Sequence, residues 1–439
     1  MNGEVIAPHG LNGSDAFDGS NGADGGAGRQ LLREQLNRLC LISAVSGFEG
    51  EATSGILDCF KGLYDESRTD TLGNCIMVKR GEISKNRGLK TGQETVAYRD
   101  VTSPSKFLER LHALLPGAGY RDVASPTKPS PIKASFVEPS PIKVMLAAHV
   151  DEVGLVVTRV EDGGFLRFTC TGKIDPRVLP GAEVLVLGKE KLPGVIGSVP
   201  PHLRERRKSD EERQAVGFDD LYVDTGLPGE RLKEMVRVGD PMRFASTCVS
   251  LGENRLAGRA LDDRVGLLAV RVCLGRLMKS RHEADVFAVA TTGEEIGLKG
   301  ATVAAYGIHP DVAIAVDATF GLEPGVAEHE GSKLGEGPAI GIGPNVHPRI
   351  AKTLLQICNE LNIPHQVEVI PGPSGTDAWA VQISREGVPT ALVSIPVRSM
   401  HTPSEVVDLR DIEWAGRLLA EFVIRLDSDS LGKMSEAWL

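Results

Sequence analysis

The sequence lacks three features that would place it in common classes of protein. Its seven cysteines are scattered and none forms a Cys-x-x-Cys pair, which argues against a zinc knuckle or a disulfide framework. Such cysteines are typical of buried thiols in a reducing compartment, so we expect a cytoplasmic protein. No apolar run approaches the roughly 20 residues that cross a bilayer, and the net charge of -10 implies no basic face. We therefore expect neither a membrane nor a nucleic acid as a partner.

The composition is that of a globular protein with a large core. The chain has 439 residues, of which 41% are hydrophobic and 25% charged, enough for more than one domain. Residues 1–29 are rich in Gly, Asn and Asp and indicate a disordered tail. Residues 82–143 are rich in Ser, Pro and Lys and repeat the segment PSPIK, which indicates an insertion in a surface loop. The predicted domains are a main domain in two parts, 30–153 and 258–427, an inserted β domain at 154–257 and a C-terminal tail at 428–439.

Apolar runs of strand length alternate with helical patterns along the main domain. This alternation predicts an α/β fold with a mixed, largely parallel sheet flanked by helices. Residues 154–258 instead contain short apolar runs separated by Gly, Pro and Asp turns, which predicts a small barrel-like β domain. The main predicted strands are Val144–Val150, Asp285–Thr292, Val312–Val316 and, as the last strand, Pro389–Ile395.

Acids and histidines lie at the ends of several of these strands. Glu294 and Glu295 follow one strand closely, and His149 and Asp151 lie two residues apart at the end of another. In an extended chain residues i and i+2 face the same way, so His149 and Asp151 project together. Because reactive groups gather at the carboxyl ends of parallel strands, we expect these groups to meet. Adjacent carboxylates there are costly unless a cation or a shared proton relieves them.

The candidate site residues are His149, Asp151, Asp262, Glu294, Glu295, Asp317 and His401. Five nitrogen and oxygen ligands with one shared carboxylate can hold two divalent ions about 3.5–4 Å apart. No thiolate belongs to the set, so zinc, cobalt or manganese would suit it. An ordinary alternative is that Asp262 caps the helix that follows it and that the glutamates line a solvated loop.

Several stretches of the chain, in combination and in this order, resemble the tetrahedral aminopeptidases. These are the glutamyl and leucyl aminopeptidases of clan MH, which carry two metal ions. The resemblance runs from about Leu31 to Leu426 and is interrupted at residues 82–143. It departs at SGTDA, where the family usually has GGTDA, and at Gly293, where the family usually has Gln. The matching stretches are AAHVDEVG, DPRVLPG, GVIGSVPPHL, GRALDDRVG, TTGEEIGLKGA, AVDAT, SGTDA and IPVRSMHTPSEVVDLRD.

The resemblance implies a metal-binding role for five of the candidates. His149 and Asp317 would bind one metal ion, and Asp262 would bridge that ion to a second one. Glu295 and His401 would then bind the second ion.

The resemblance also implies roles for the remaining candidates and an assembly. Asp151 would orient His149, and Glu294 would be the general base. The inserted β domain would build contacts between subunits, with dimers assembling into a hollow tetrahedron of twelve copies.

These observations predict a metal-dependent aminopeptidase that removes N-terminal residues from short peptides. A water bridged by two divalent ions would be the nucleophile, with Glu294 taking its proton. A carboxypeptidase or deacylase of the same fold is an alternative, for which Arg398 is a candidate to grip a carboxylate. A catalytically silent assembly scaffold is another, although it would require the loss of a ligand. The sequence does not rank Glu, Leu or Lys as the preferred N-terminal residue.

Overall fold

The structure is a computed structural model that describes residues 26–82, 141–200 and 216–435. Most of the predicted tail (1–29) and of the predicted insertion (82–143) lies outside the described residues. The first described helix already begins at Gly26, within the range predicted as a tail.

The described helices and strands alternate mainly after residue 260. The helices are α1 Gly26–Leu41, α2 Ala52–Cys59, α3 Gly229–Met235, α4 Leu261–Leu277, α5 Lys299–Ile308, α6 Pro348–Leu361, α7 Asp377–Gln382, α8 Leu409–Arg425 and α9 Ser428–Ser435. The strands are β1 Glu66–Thr69, β2 Cys75–Lys79, β3 Lys143–His149, β4 Gly154–Val160, β5 Phe165–Thr171, β6 Glu183–Leu187, β7 Lys191–Ser198, β8 Leu221–Asp224, β9 Pro241–Phe244, β10 Val249–Leu251, β11 Arg255–Gly258, β12 Asp285–Thr291, β13 Val312–Phe320, β14 Ala339–Ile342, β15 Gln366–Val369, β16 Thr390–Arg398 and β17 Glu405–Asp408. Within these described ranges, no helix combines the length and the apolar character needed to cross a membrane.

The larger sheet carries the parallel strands that the sequence predicts. Its strand order is β1-β2-β12-β3-β13-β16-β17-β11-β10, with β14 pairing to β16 and β15 pairing to β14. The central strands β12, β3, β13 and β16 run parallel to one another, and β14 and β15 also pair in parallel, while the remaining pairs are antiparallel. The prediction of a mixed sheet flanked by helices is confirmed.

The strand β3 shows why the central strands are continuous apolar runs. Val144, Leu146 and Ala148 pack into the core beneath α4 and α8. Met145 and Ala147, which alternate with them, pack into a second core with α5 and α7. Successive side chains of a strand point to opposite faces, and here helices cover both faces. Every residue of the strand interior is therefore buried.

The helix α4 lies against the sheet and is buried almost all round, as its largely apolar sequence indicates. The helix α8 packs onto it at Gly416, where an added Cβ would lie 2.6 Å from Cβ of Val272. Glycine is thus needed for this close approach. The packing holds the start of α4, and with it Asp262, beside the carboxyl end of the sheet.

The strands β4, β5, β8, β7, β6 and β9 close in that order into a barrel. Its interior is apolar and includes Leu155, Val184 and Val223. This confirms the predicted barrel-like domain, although the sequence patterns did not reveal β8 or α3. The strands β10 and β11, which fall within the predicted range 154–257, pair in the larger sheet.

Two details of the predicted chain path are wrong. The strand β16 continues past Pro396 to Arg398, because pairing with β13 and β17 carries it beyond the proline, and β17 then follows it. The strand β13 runs through Asp317, so this acid lies inside a strand and not after it. The residues after 427 begin with the helix α9, and their assignment as a C-terminal tail stays a prediction.

Candidate metal centre

The side chains predicted to form a site converge at one edge of the larger sheet. The strand β3 ends at His149, and Glu294 and Glu295 follow the neighbouring strand β12. Asp317 lies in β13 on the other side of β3, and His401 follows β16, which pairs with β13. All four strands are parallel, so their carboxyl ends meet at this edge.

One cluster of possible ligand atoms contains His149, Asp262 and Asp317. The Nε2 atom of His149 lies 3.0 Å from Oδ1 of Asp262 and 3.7 Å from Oδ1 of Asp317. The three side chains each place a ligand atom within 4.8 Å of the others, and all three are buried. A divalent ion would find one imidazole nitrogen and two carboxylates here.

A second cluster contains Asp262, Glu295 and His401. The Nε2 atom of His401 lies 3.1 Å from Oδ2 of Asp262 and 3.1 Å from Oε1 of Glu295. These ligand atoms also lie within 4.8 Å of one another. The two carboxylate oxygens of Asp262 therefore face different histidines, one in each cluster.

Glu294 lies beside both clusters without belonging to either. Its side chain is 9% exposed, and it forms a third close group with His149 and Glu295. Burial raises the pKa of Glu294 to about 10, and the nearby carboxylate of Asp317 adds to this effect. Although a nearby charged His149 acts in the opposite direction, burial thus favours the neutral carboxyl at pH 7 when no metal ion is bound.

The electrostatics of the site fit a cationic occupant. Burial is the largest influence on Asp317 and Glu295 and raises the pKa of both carboxyls. Burial also acts to raise the pKa of Asp262, but hydrogen bonds from His149 and His401 outweigh it and lower that pKa. Contacts with the carboxylates of Asp262 and Glu295 raise the pKa of His401 to about 11 against the effect of burial. Protonated imidazoles here supply the positive charge that metal ions supply in a site of this donor type.

The sequence comparison identifies the family. The sequence profile described as M42 glutamyl aminopeptidase matches residues 133–418, which is more than half of the chain. The chain belongs to the M42 family. It is therefore a peptide hydrolase of the aminopeptidase type, as the resemblance in its motifs predicts.

Individual M42 relatives cover most of the chain. The lysyl aminopeptidase of Pyrococcus furiosus is 40% identical over 274 residues, which are 62% of this chain and 78% of that protein. The solved aminopeptidase of Desulfurococcus kamchatkensis is 31% identical, has a TM-score of 0.74 and covers 94% of this chain and 99% of its own. The TET1 peptidase of Pyrococcus horikoshii is described as assembling into a tetrahedron or a large octahedral shell. It is 27% identical with a TM-score of 0.67, and the match covers 90% of this chain and 100% of that chain.

Asp151 contacts His149 differently from what its sequence position suggests. The Nδ1 atom of His149 lies 2.9 Å from the backbone carbonyl oxygen of Asp151, while the carboxylate oxygen is 3.7 Å away. The carboxylate instead accepts hydrogen bonds from the hydroxyl of Ser46 and from the backbone N–H groups of Glu294 and Glu295. Asp151 thus ties the end of β3 to the segment that carries both glutamates.

Glu405 is a member of this M42 site to which the sequence assigned no role. Its Oε1 atom accepts a hydrogen bond from the backbone N–H of His401 at 2.8 Å, and Oε2 accepts one from the N–H of Asp262 at 3.1 Å. The side chain is buried, and burial raises its pKa to about 8. A single carboxylate therefore holds the two chain segments that meet at Asp262. The glutamate lies in a matching motif, but only the folded chain shows its two partners.

Two further interpretations of single residues change. The N-cap residue of α4 is Ala260, with no side-chain cap hydrogen bond, so the alternative in which Asp262 is the cap is wrong. Within the first turn, Oδ1 of Asp263 accepts a hydrogen bond from the N–H of Gly266 at 2.9 Å. Arg398, the candidate to grip a substrate carboxylate, instead donates a hydrogen bond from its Nε atom to the carbonyl oxygen of Leu322 at 2.7 Å.

A cavity of about 410 Å³ opens next to the two clusters. The ligand residues form one side of it, and Gly297, Leu298 and residues 374–376 form another. The loop after β5 of the barrel also reaches it, since an added Cβ at Gly172 would lie 3.4 Å from Oε2 of Glu295. The barrel therefore contributes directly to the space in which a substrate would bind.

Proposed function

We propose that this M42 peptidase is an aminopeptidase whose centre holds two divalent metal ions. The observation that carries the proposal is the position of Asp262, whose two carboxylate oxygens face two separate groups of ligands. A carboxylate so placed is suited to bridge a pair of ions.

Each of the two clusters of ligand atoms would hold one metal ion. His149 and Asp317 would hold one ion, Glu295 and His401 the other, and Asp262 both. Divalent ions bound there would act as Lewis acids toward the scissile carbonyl group and toward water. The donors are imidazole nitrogen and carboxylate oxygen, which suits zinc, cobalt or manganese.

Glu294 is the proposed general base. It lies next to Glu295 and outside both of the clusters that share Asp262. A nearby positive charge favours the ionised form of a carboxyl, so Glu294 becomes able to take a proton when the centre is loaded. In the reaction it would take the proton of the attacking water and deliver it to the leaving amine.

The arginine that the sequence offers for a carboxypeptidase does not reach the cavity, and Lys173 is the lining cation that the acetylated-peptide control below tests. A carboxypeptidase needs a cation free to grip the terminal carboxylate. Arg398, the candidate for that role, makes a hydrogen bond to the carbonyl oxygen of Leu322 and does not line the cavity. The names of the relatives also favour an aminopeptidase, but they do not select a substrate, because one names lysine and the family names glutamate.

We further propose that the protein acts as a homo-oligomer on short peptides in the cytoplasm. A related TET1 peptidase assembles into closed shells. On this chain the barrel exposes Val178, Val195 and Val238, which would gain from burial against another subunit. Light scattering tests this point, and a mass near that of one chain would contradict it.

The direct test uses metal-stripped protein reloaded with zinc, cobalt or manganese. We expect cleavage of aminoacyl-anilides only after reloading, and no cleavage of the same compounds when the α-amino group is acetylated. Acetylated peptides with a free carboxyl terminus are the matched control. If those peptides are hydrolysed and the free anilides are not, the enzyme is a carboxypeptidase or deacylase instead.

A further inference from the structure

Two charged side chains line the cavity in addition to the acids and histidines of the metal centre. Glu368 lies on β15, in the wall beside β13, and Lys173 lies in the loop that follows β5 of the barrel. They carry opposite charges, so the one that faces a bound N-terminal side chain would determine which substrates are preferred.

Glu368 is held in a defined position. Its Oε1 atom accepts a hydrogen bond from the hydroxyl of Thr319 at 2.8 Å, and Thr319 is itself buried. Thr319 follows Asp317 by two residues in β13, so the two side chains share a face of the strand about 7 Å apart. The carboxylate of Glu368 is thus hydrogen-bonded to the neighbour of Asp317 on the same face of β13, and Asp317 is a proposed metal ligand.

The second oxygen of Glu368 is unsatisfied. Among the described residues, Oε2 is buried and has no hydrogen-bond partner. An unpaired buried acceptor is costly, and the cost is greater when the group is ionised. Metal ions at the centre would offset the carboxylates that bind them, but not this one. If the carboxylate turned toward the cavity that Glu368 lines, a positive group in the cavity would supply the missing partner.

The cavity also suits the apolar stem of a long cationic side chain. Leu392, Met400 and Phe320 line it, and Phe320 is 61% exposed. Lysine and arginine bury their methylene groups along such surfaces while the charged end finds a partner.

Lys173 is placed less favourably to select a substrate. It is exposed, and no ion pair within 4.0 Å joins it to Glu368 in the part of the chain that the structure describes. An exposed ammonium on a flexible stem is solvated and screened, so it discriminates weakly.

We propose that the enzyme prefers peptides with lysine or arginine at the N-terminus, and that Glu368 is the residue that determines this specificity. The inference rests on the proposed aminopeptidase function. A hydrogen bond between charged groups accounts for a preference of about 10- to 100-fold in kcat/KM over an uncharged residue.

The test compares lysyl-, arginyl-, leucyl- and glutamyl-anilides on metal-loaded wild type, Glu368→Gln and Lys173→Met. Wild type should prefer the two basic substrates. Glu368→Gln should lower kcat/KM about 10- to 100-fold for those two and change the leucyl value little. Lys173→Met should retain the basic preference. Metal content and the thermal midpoint of each variant show that it is folded and loaded.

Four other results would overturn the inference. An equal loss on all four substrates in Glu368→Gln would mean that Glu368 binds the α-ammonium group common to them. A glutamyl preference that disappears in Lys173→Met would assign selectivity to the lysine. A wild type that cleaves all four alike leaves the aminopeptidase function intact but removes the specificity, whereas a loaded wild type that cleaves none removes both.

Discussion

The barrel and the edge of the sheet that carries the metal centre differ in which residues adopt positive φ angles. In the described part of the barrel, positive φ angles occur only at glycines, such as Gly164 and Gly226. Around the metal centre they occur at Ala260, Leu298 and His401, which carry side chains. Each such residue costs about 1–3 kcal/mol and persists only where its surroundings hold it in place.

The two regions also differ in what they bury. The barrel core consists of apolar side chains. The edge of the sheet buries the carboxyls of Asp151, Asp262, Asp317 and Glu405. Hydrogen bonds and histidine contacts lower the pKa of the first two against the effect of burial, whereas burial raises the pKa of the last two. The comparison indicates that burial in the barrel stabilises the fold. At the edge of the sheet, burial of polar groups lowers stability but holds those groups in place for a ligand. Substitutions in the two regions should therefore change different measurable quantities.

The largest expected effect is on turnover at the edge. Glu294→Gln should lower kcat by about 10²- to 10⁴-fold, because an amide cannot take the proton of water. Metal content, measured by mass spectrometry of the purified protein, should stay that of wild type. A variant that loses a metal ion would show that Glu294 is a ligand, and one that keeps most of its activity would show that it is not the base.

A core substitution in the barrel should lower stability and leave metal binding nearly unchanged. Leu155→Ala should lower the free energy of unfolding by about 2–5 kcal/mol, because it removes fully buried methyl groups. Metal affinity should change little, which a chelator competition would measure. Val238→Ala, at an exposed position of the barrel region, is the control and should change stability by about 0.5 kcal/mol or less. A large loss of metal affinity in Leu155→Ala would contradict the separation of the two regions.

A smaller effect is expected at Glu405, which supports the ligands without contacting a substrate. Glutamine offers one acceptor oxygen where the backbone N–H groups of Asp262 and His401 need two. Glu405→Gln should weaken metal binding by about 10- to 100-fold. Titration of the stripped protein with zinc measures this directly, and unchanged affinity would show that the two hydrogen bonds do not position the ligands.

The smallest effect is expected for removing residues 83–140. The N–H of Glu82 donates to His282, and Ile142 accepts from the N–H of Asp285, so both ends of the segment border the start of β12. The strands β2 and β3 flank β12, about 10 Å apart, a distance that a short Gly/Ser link can span. The shortened protein should keep kcat/KM on anilides within a factor of about two, and loss of folding would show that the segment supports the core.

The sequence predicts the parallel sheet and the site better than it predicts the edges of elements. Parallel strands end on the same side of a sheet, so the positions of His149 at the end of β3 and of His401 after β16 follow from a rule that needs no structure, whereas Asp317 reaches them from within β13. The extension of β16 past Pro396 depends on pairing with neighbouring strands, which local patterns do not contain.

Within the site, contacts between residues far apart in sequence could not be predicted either. Glu405 and Asp262 are far apart in sequence, and the hydrogen bond between them follows from the meeting of β17 and α4. The unsatisfied oxygen of Glu368 is likewise visible only when its side chain is placed beside Thr319 of β13. Sequence patterns identify which residues have suitable chemistry, while packing decides which of them share an environment.

The most direct measurement of the central proposal is the metal stoichiometry of Asp262→Asn. Wild type should bind two ions per chain, and the variant should lose affinity for both together, since one carboxylate serves the two clusters. His149→Ala and His401→Ala are the matched controls, and each should weaken one ion more than the other. Loss of a single ion in Asp262→Asn, with the second bound as in wild type, would contradict a shared carboxylate and the two-metal centre proposed for this enzyme.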